Sequence, residues 1–432
     1  MNNTMKYKGL FLSSFILFLA LLALKGSAEA RVYIDITSPY LKKIPIAIPY
    51  LKPQPDTFEN RLLGKKMAKI LSNDLVFHGF FSVLDPGNYG GTQEADWKEL
   101  NVDYVIKGGL RRRGKNLVAE FRLYDTSTGN MLTGRRYKGR VVDQRIMVHR
   151  FSDLVVRTIT GEPGLSLSKI VFVKRTGKYK EIFSADFDGY NIRQETRDRS
   201  ITISPRYSPD GRYLAYTSYK NGQPCLYLKD LKRGTVRKLS DYSGLNIAPA
   251  WHPDCRHLAV TLSKDGNPDI YIIDLWGNIK ARLTRGPGIN VSPTWSPDGK
   301  KLAFVSDRAG SPQIYIMNLS SRTIERLTYQ GDYNTDPRWS PRGDRIAYTG
   351  RVDGAFQIFT IPAQGGDPIQ LTFFGNNENP SWSPDGRQLL FTSTRLGPEK
   401  VLFVMFANGE GRRRMLPSVK AVMTPSWGPN KF

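Results

Sequence analysis

Along the second half of the chain the apolar residues fall into short runs, three to a set, and the sets recur. One set reads KLAFVSDR from Lys301, SPQIYIMNL from Ser311 and TIERLT from Thr323. Others read YLAYTS, LYLKDL and RKLS; HLAVTLS, IYIIDL and ARLT; RIAYTG, FQIFTI and IQLT. β-Branched and aromatic runs of this length, bounded by Gly, Pro, Asn and Asp, predict strands. Between the sets stands one phrase in six copies: PRYSPDG from Pro205, PAWHPDC from Pro249, PTWSPDG from Pro293, PRWSPRG from Pro337, PSWSPDG from Pro380 and PSWGPNK from Pro425. The proline-to-proline steps are 44, 44, 44, 43 and 45 residues, the repeat length of a four-stranded propeller blade.

The pattern predicts an all-β six-bladed β-propeller over residues 164–432. Residues 169–199 carry three strands without an inner one, while the last phrase is an inner strand with no set after it. The C-terminal strand is therefore expected to complete the blade that residues 169–199 begin, closing the ring and leaving no open sheet edge.

Within each phrase, Trp251, Trp295, Trp339, Trp382, Trp427 and the variant Tyr207 are expected to pack between blades, each burying on the order of 150–250 Å². The Asp-Gly pairs are turns. Strand alternation then turns the residues on either side of each proline toward the central channel. Those are Ser204, Ala248, Ser292, Asp336, Asn379 and Thr424 before it, and Arg206, Ala250, Thr294, Arg338, Ser381 and Ser426 after it. Three residues before the proline, at the rim, stand Thr202, Asn246, Asn290, Asn334, Asn377 and Val422. Two readings stay open: a water-filled tunnel, or a funnel of amides and hydroxyls able to grip a loop or an extended peptide.

The first 30 residues read as a signal peptide. Lys6 and Lys8 precede an apolar run from Leu10 to Leu24, and Ala28-Glu29-Ala30 has the small-x-small form of a cleavage site, placing the cut between Ala30 and Arg31. The run of 15 residues is shorter than the roughly 20 needed to span a bilayer. With no cysteine at the cut to carry a lipid, the mature chain is expected to be exported, soluble and monomeric. Residues 31–163 lack the 44-residue period and read as an α/β N-terminal domain. Strands at 32–36 and 44–50 precede a helix near 59–77, with Leu63, Met67, Ile70 and Leu71 on one face. Strands at 81–84, 103–110, 116–124 and 131–137 follow. A last helix is capped by Asp143 and stopped at Gly161 with Pro163 beyond. The segment from Arg31 to Tyr40 alternates apolar and polar residues. It is either an ordinary edge strand or one free to pair with another protein's sheet.

Composition changes this picture in one respect. The formal charge is +24, of which Lys6, Lys8, Lys25 and Glu29 account for +2, leaving +22 on the mature chain. In a cytosolic protein such a balance points to nucleic acid; export argues against nucleic acid as a partner. The clusters Arg111-Arg112-Arg113 and Arg412-Arg413-Arg414 are then solvated loops, or attract an anionic envelope surface or acidic partner. Cys225 starts a third strand and Cys255 replaces a turn glycine, on opposite faces of the propeller, so both are expected to be free thiols. The four histidines, His78, His149, His252 and His257, are scattered. There is no G-x-S-x-G, H-E-x-x-H or P-loop phrase, so neither an enzyme nor a cofactor is indicated. Asp265-Gly-Asn267-Pro-Asp269 weakly resembles a calcium loop but lacks the later bidentate Glu.

Taken together, the N-terminal address, the I-x-I-T pattern at Ile34, Ile36 and Thr37, the run from Pro45 to Pro49, DYVIKGGL, FRLYDTSTG and HRFSDLVVRTITGEPG, followed by the six repeats, resemble the TolB family of the Gram-negative Tol-Pal system. The resemblance covers essentially the whole mature chain. It implies a non-enzymatic periplasmic scaffold linking inner-membrane TolA to the outer-membrane lipoprotein Pal, for outer-membrane integrity and for constriction at division. It carries TolA contact to the N-terminal segment Arg31, Val32, Tyr33, Ile34, Asp35, Ile36 and Thr37. It carries Pal contact to the propeller mouth: Thr202, Ser204, Asn246, Ala248, Asn290, Ser292, Asn334, Asp336, Asn377, Asn379 and Thr424. In the family, exposure of the N-terminal segment responds to occupation of the propeller. The alternative is an envelope carbohydrate- or cation-binding propeller. A glycan site calls for exposed aromatics at the mouth, which the Asn and Thr of the rim do not supply.

Overall fold

The computed structural model describes residues 43–286 and 288–431. The strand expected at 32–36, the signal peptide with its cleavage point, and the whole segment 31–40 lie outside the described residues.

The N-terminal part is one sheet with helices against it. Strands β1 (Ile44–Ala47), β2 (Lys52–Gln54), β3 (Phe81–Val83), β4 (Tyr104–Arg113), β5 (Asn116–Asp125) and β6 (Met131–Arg140) run in the order β3-β1-β4-β5-β6, with β2 pairing beside β4. β1 lies parallel to β3 and β4, while β4, β5 and β6 form an antiparallel meander. Helix α1 (Phe58–His78) starts where the Thr57 hydroxyl accepts the Asn60 amide and buries Leu63, Met67, Ile70 and Leu71, the face that the period predicts. It stops at Gly79, left-handed at φ 87. Only glycine fits there, because an added Cβ would lie 2.5 Å from the Phe406 ring. Helix α2 (Gln144–Thr160) sets Phe151 flat on Phe121 of β5, with ring centroids 5.0 Å apart. Asp143 does not cap it by side chain, contrary to expectation; its carboxylate instead accepts the Arg140 backbone N–H at 2.8 Å, closing the turn out of β6.

The rest is a six-bladed β-propeller, each blade a four-stranded antiparallel sheet. Blades one to five span 202–240, 246–282, 290–326, 334–370 and 377–414. Blade six joins the C-terminal strand Val422–Trp427 to Lys169–Thr176, Tyr179–Asp186 and Arg193–Gln194, the closure that the sequence predicts. The core is divided blade by blade, with inter-blade clusters such as Trp295, Leu302 and Phe304 of blade three with Ala259 and Ile270 of blade two.

The two parts meet where α1 and α2 abut blades five and six, with a further contact to blade four. Phe77 packs edge-on against Phe187 and Trp427, and the Arg413 guanidinium lies 3.9 Å from its ring centroid. Gln388 and Arg413 donate to the Phe77 carbonyl. Glu162 bridges Arg387 at 2.7 Å and Arg342 at 3.1 Å. Asn430 donates to Asp153, which also faces His78 at 3.6 Å. Among the described residues no helix is long and apolar enough to cross a membrane.

Candidate functional site

The channel is built from the six inner strands, and each carries the same irregularity. The residue before the proline is left-handed: Ser204, Ala248, Ser292, Asp336, Asn379 and Thr424 have φ between 41 and 56. The register to the second strand shifts at that point in every blade. Such a bulge resets the alternation. The proline is buried, and most residues on either side of it stay half-exposed toward the axis; Ser381 and Ser426 are more deeply covered. Simple alternation therefore reached the right side chains without the bulge that puts them there.

The rim differs from expectation. Thr202, Asn246, Asn290, Asn334 and Asn377 are all buried, as is Val422, and their polar groups are spent inside the fold. The Asn334 amide donates to Gln313 Oε1 at 2.8 Å; the Thr328 hydroxyl donates to the same oxygen at 2.7 Å and accepts the Ile314 amide. Asn377, Gln357 and Thr372 repeat this, and so do Asn290, Asp269 and Thr284. Each triad ties the third and outer strands of one blade to the inner strand of the next. At the first seam Cys225 stands where the acceptor belongs, and the Asn246 side-chain Oδ1 instead accepts from the Ser240 hydroxyl at 2.5 Å. Thr202 donates to the Lys180 carbonyl. The signal for this lay in the sequence: 181, 225, 269, 313, 357 and 401 stand at or within two residues of the start of the third strands, at intervals of 44. Polar side chains recurring at that period, in phase with the Thr of each R-L-T, describe an internal network rather than a rim.

What the mouth exposes comes from the loops entering the inner strands. Tyr329 is 71% exposed, Phe373 70% and Phe374 72%, and Leu396 of a hairpin at the same end is also exposed. The rim positions themselves carry no aromatic ring, as expected; the exposed rings stand on loops that follow the outermost strands, which no strand period marks.

Inside the channel, charge is separated along the axis. Toward the mouth lie Asp336 and Glu378. Asp336 accepts from Asn379 at 2.7 Å, and burial raises its carboxyl despite the attraction of Arg206; Glu378 is paired with Lys400 at 2.7 Å. Toward the other end lie Arg206 and Arg338, each donating to the carbonyl of its own preceding proline. Burial pulls Arg206 down to about 10, with Asp336 opposing. That end widens into a cavity of about 410 Å³, lined by the residue after each proline, the aromatic ring and the prolines of the turns.

Elsewhere, acidic groups meet cationic side chains. Asp265 lies 2.6 Å from Lys264 and 3.3 Å from Arg282 and accepts from the Tyr271 hydroxyl; Asp269 takes Arg282 at 2.6 Å. The loop that resembled a calcium site is therefore neutralised by its neighbours. Asp74, His149 and Asp188 come close enough to share an ion, but His149 Nδ1 lies 2.7 Å from Asp74 and Arg145 contacts Asp188. Cys225 and Cys255 are free.

Comparisons with known proteins agree with this architecture. A family model described as TolB beta propeller domain matches residues 156–431, and one described as TolB amino-terminal domain matches residues 32–132. Among curated relatives, the Tol-Pal system protein TolB of Desulfotalea psychrophila is 37% identical over 242 residues, covering 55% of each chain. That of Desulfosudis oleivorans is 40% identical over 217 residues, covering 47% of this chain and 50% of its own. The chain spans about half the length of the curated relatives it matches. The crystal structure of TolB from Acinetobacter baumannii superposes with a TM-score of 0.78 at 29% identity, over 90% of this chain and 97% of that one.

Proposed function

The chain belongs to the TolB family, and on that premise we propose that it is a non-enzymatic periplasmic scaffold of the Tol-Pal system. It holds the lipoprotein Pal at the propeller mouth and TolA through residues 31–37, for outer-membrane integrity and invagination at division. Residues 1–30 address it to the periplasm. The observation that carries the reading is the make-up of the mouth: large exposed aromatics on the entering loops around a channel with acidic and hydroxyl-bearing walls. Exposed aromatics over a polar concavity suit a protein partner, whose hot spots bury such side chains. The asparagines of the rim support the loops from beneath, and the contact falls to Tyr329, Phe373, Phe374 and the half-exposed residues before the prolines.

The same three aromatics favour a second reading, a glycan stacked across the mouth. Calorimetric titration of the mature protein with the soluble domain of Pal from the same organism separates the two. One-to-one binding is expected, weakened at least about tenfold by Phe373→Ser with Phe374→Ser, which corresponds to ~1.4 kcal/mol. Deleting residues 31–37 removes binding to the periplasmic domain of TolA and leaves Pal binding intact. No heat with Pal at moderate salt, together with binding of envelope oligosaccharides lost in the same double variant, favours the glycan. Asn290→Ala and Asn334→Ala are unsuited to this test, because they report on folding.

A further inference from the structure

The end of the channel away from the mouth is a chamber of different chemistry. Its volume of about 410 Å³ falls within the range of small-molecule sites, roughly 300–1,000 Å³. Its wall carries proline and tryptophan rings, with serine and threonine side chains between them, and the indole N–H groups are already used. Trp251, Trp295 and Trp382 donate to the backbone of the preceding blade, Trp339 to Gly343 and Trp427 to Ser168. The charged groups lining this wall are Arg206 of blade one and Arg338 of blade four, which face each other across a six-membered ring. The corresponding positions in the other blades, such as Ala250 and Thr294, are short and leave the space open.

Neither guanidinium makes an ion pair among the described residues. Each gives one N–H to a proline carbonyl, at 2.8 and 2.9 Å, and Arg338 Nε is buried with no partner. The nearby carboxylate, Asp336, is held by Asn379. Half-exposed guanidinium groups that make no ion pair are partly desolvated by the chamber wall, a cost that a bound anion offsets.

We propose that this chamber binds a small organic anion with an apolar body. Its carboxylate or phosphate head lies between Arg206 and Arg338, and its body lies along the proline and tryptophan wall. The site is separate from the mouth and does not depend on which partner the mouth takes.

Five of the seven tryptophans in the sequence line the chamber, so their emission reads its occupancy. The full mature chain is titrated with a terminally brominated decanoate, whose bromine quenches adjacent indoles. Decanoate, decyl phosphate, decanol and inorganic phosphate then compete with it, all below micellar concentration. Saturable quenching of most of the emission is expected. Decanoate or decyl phosphate should displace the quencher, their relative strength identifying the head group, with decanol and inorganic phosphate at least tenfold weaker. Arg338→Met and Arg206→Met should each weaken decanoate about tenfold and leave decanol unchanged. Ala250→Leu, which fills space without touching charge, should weaken both alkyl compounds. Circular-dichroism melting checks that the variants fold. Decanol binding as tightly as decanoate, unchanged affinity in a folded Met variant, or no quenching at all overturns the proposal.

Discussion

Two seams of the same ring are held in opposite ways. Between blades three and four, Gln313, Thr328 and Asn334 form a buried hydrogen-bonded triad. Between blades five and six, the three corresponding positions hold Val401, Leu416 and Val422, all buried. The propeller geometry thus accepts either a satisfied polar network or an apolar filling at one place. What it requires at these positions is that each polar member finds a partner, because a buried donor or acceptor left alone costs about 1–3 kcal/mol; where Cys225 replaces the acceptor, Asn246 is satisfied by Ser240 instead. The seam between blades six and one keeps a polar pair at these positions, the Thr196 hydroxyl donating to Glu181 at 2.5 Å, and adds a charged contact beside it, Lys229 to Glu195 at 2.6 Å.

The sharpest way to break this comparison is Gln313→Leu, which removes the acceptor shared by Thr328 and Asn334. A loss of about 2–4 kcal/mol is expected in denaturant unfolding. The triple variant Gln313→Val, Thr328→Leu, Asn334→Val, which copies the apolar seam, should be less destabilised than the single one. If the triple is worse, the two seams are not equivalent. The converse change, Val422→Asn, places an unmatched amide in the apolar seam and should cost about 1–3 kcal/mol.

The charged seam adds a pH dependence. Burial alone would raise Glu195, but the bonds from Lys229 and Ser184 hold it below its ordinary value. Its folded value is depressed, so its contribution is present above the unfolded pKa of about 4.3 and is lost as pH falls through the folded value. Unfolding measured from pH 6 downward should show a loss of stability of this kind, absent in Glu195→Gln. The smallest effect belongs to Cys225→Asn, which restores a polar acceptor and should let the Asn246 amide turn to the orientation of its counterparts. Stability should change by no more than about 0.5 kcal/mol, with the turn visible in the side-chain amide resonance of Asn246.

Much of the architecture was legible because it rests on local pattern. The 44-residue period, the apolar runs from Lys169 to Trp427 and the C-terminal closure follow from strand signals a few residues long. The interior face of α1 follows from a helical one. The cavity-lining residues after the prolines were also reached from alternation alone. The role of Asn290, Asn334 and Asn377 was not legible. An asparagine three residues before a proline looks the same whether it faces solvent or an acceptor, and its acceptor lies 20 or 21 residues away on the preceding blade.

By itself, the sequence determined the number of blades, the order of the strands, the aromatic between each pair of blades and the charge of the chain, since these depend on residue type and spacing. The tertiary structure decided which end of the channel is acidic and which is basic. It also decided that six residues before proline adopt a left-handed backbone, that the rim amides turn inward and that Tyr329, Phe373 and Phe374 turn outward. The reason is that burial is a property of what stands opposite a side chain, and in a closed ring that neighbour belongs to another repeat.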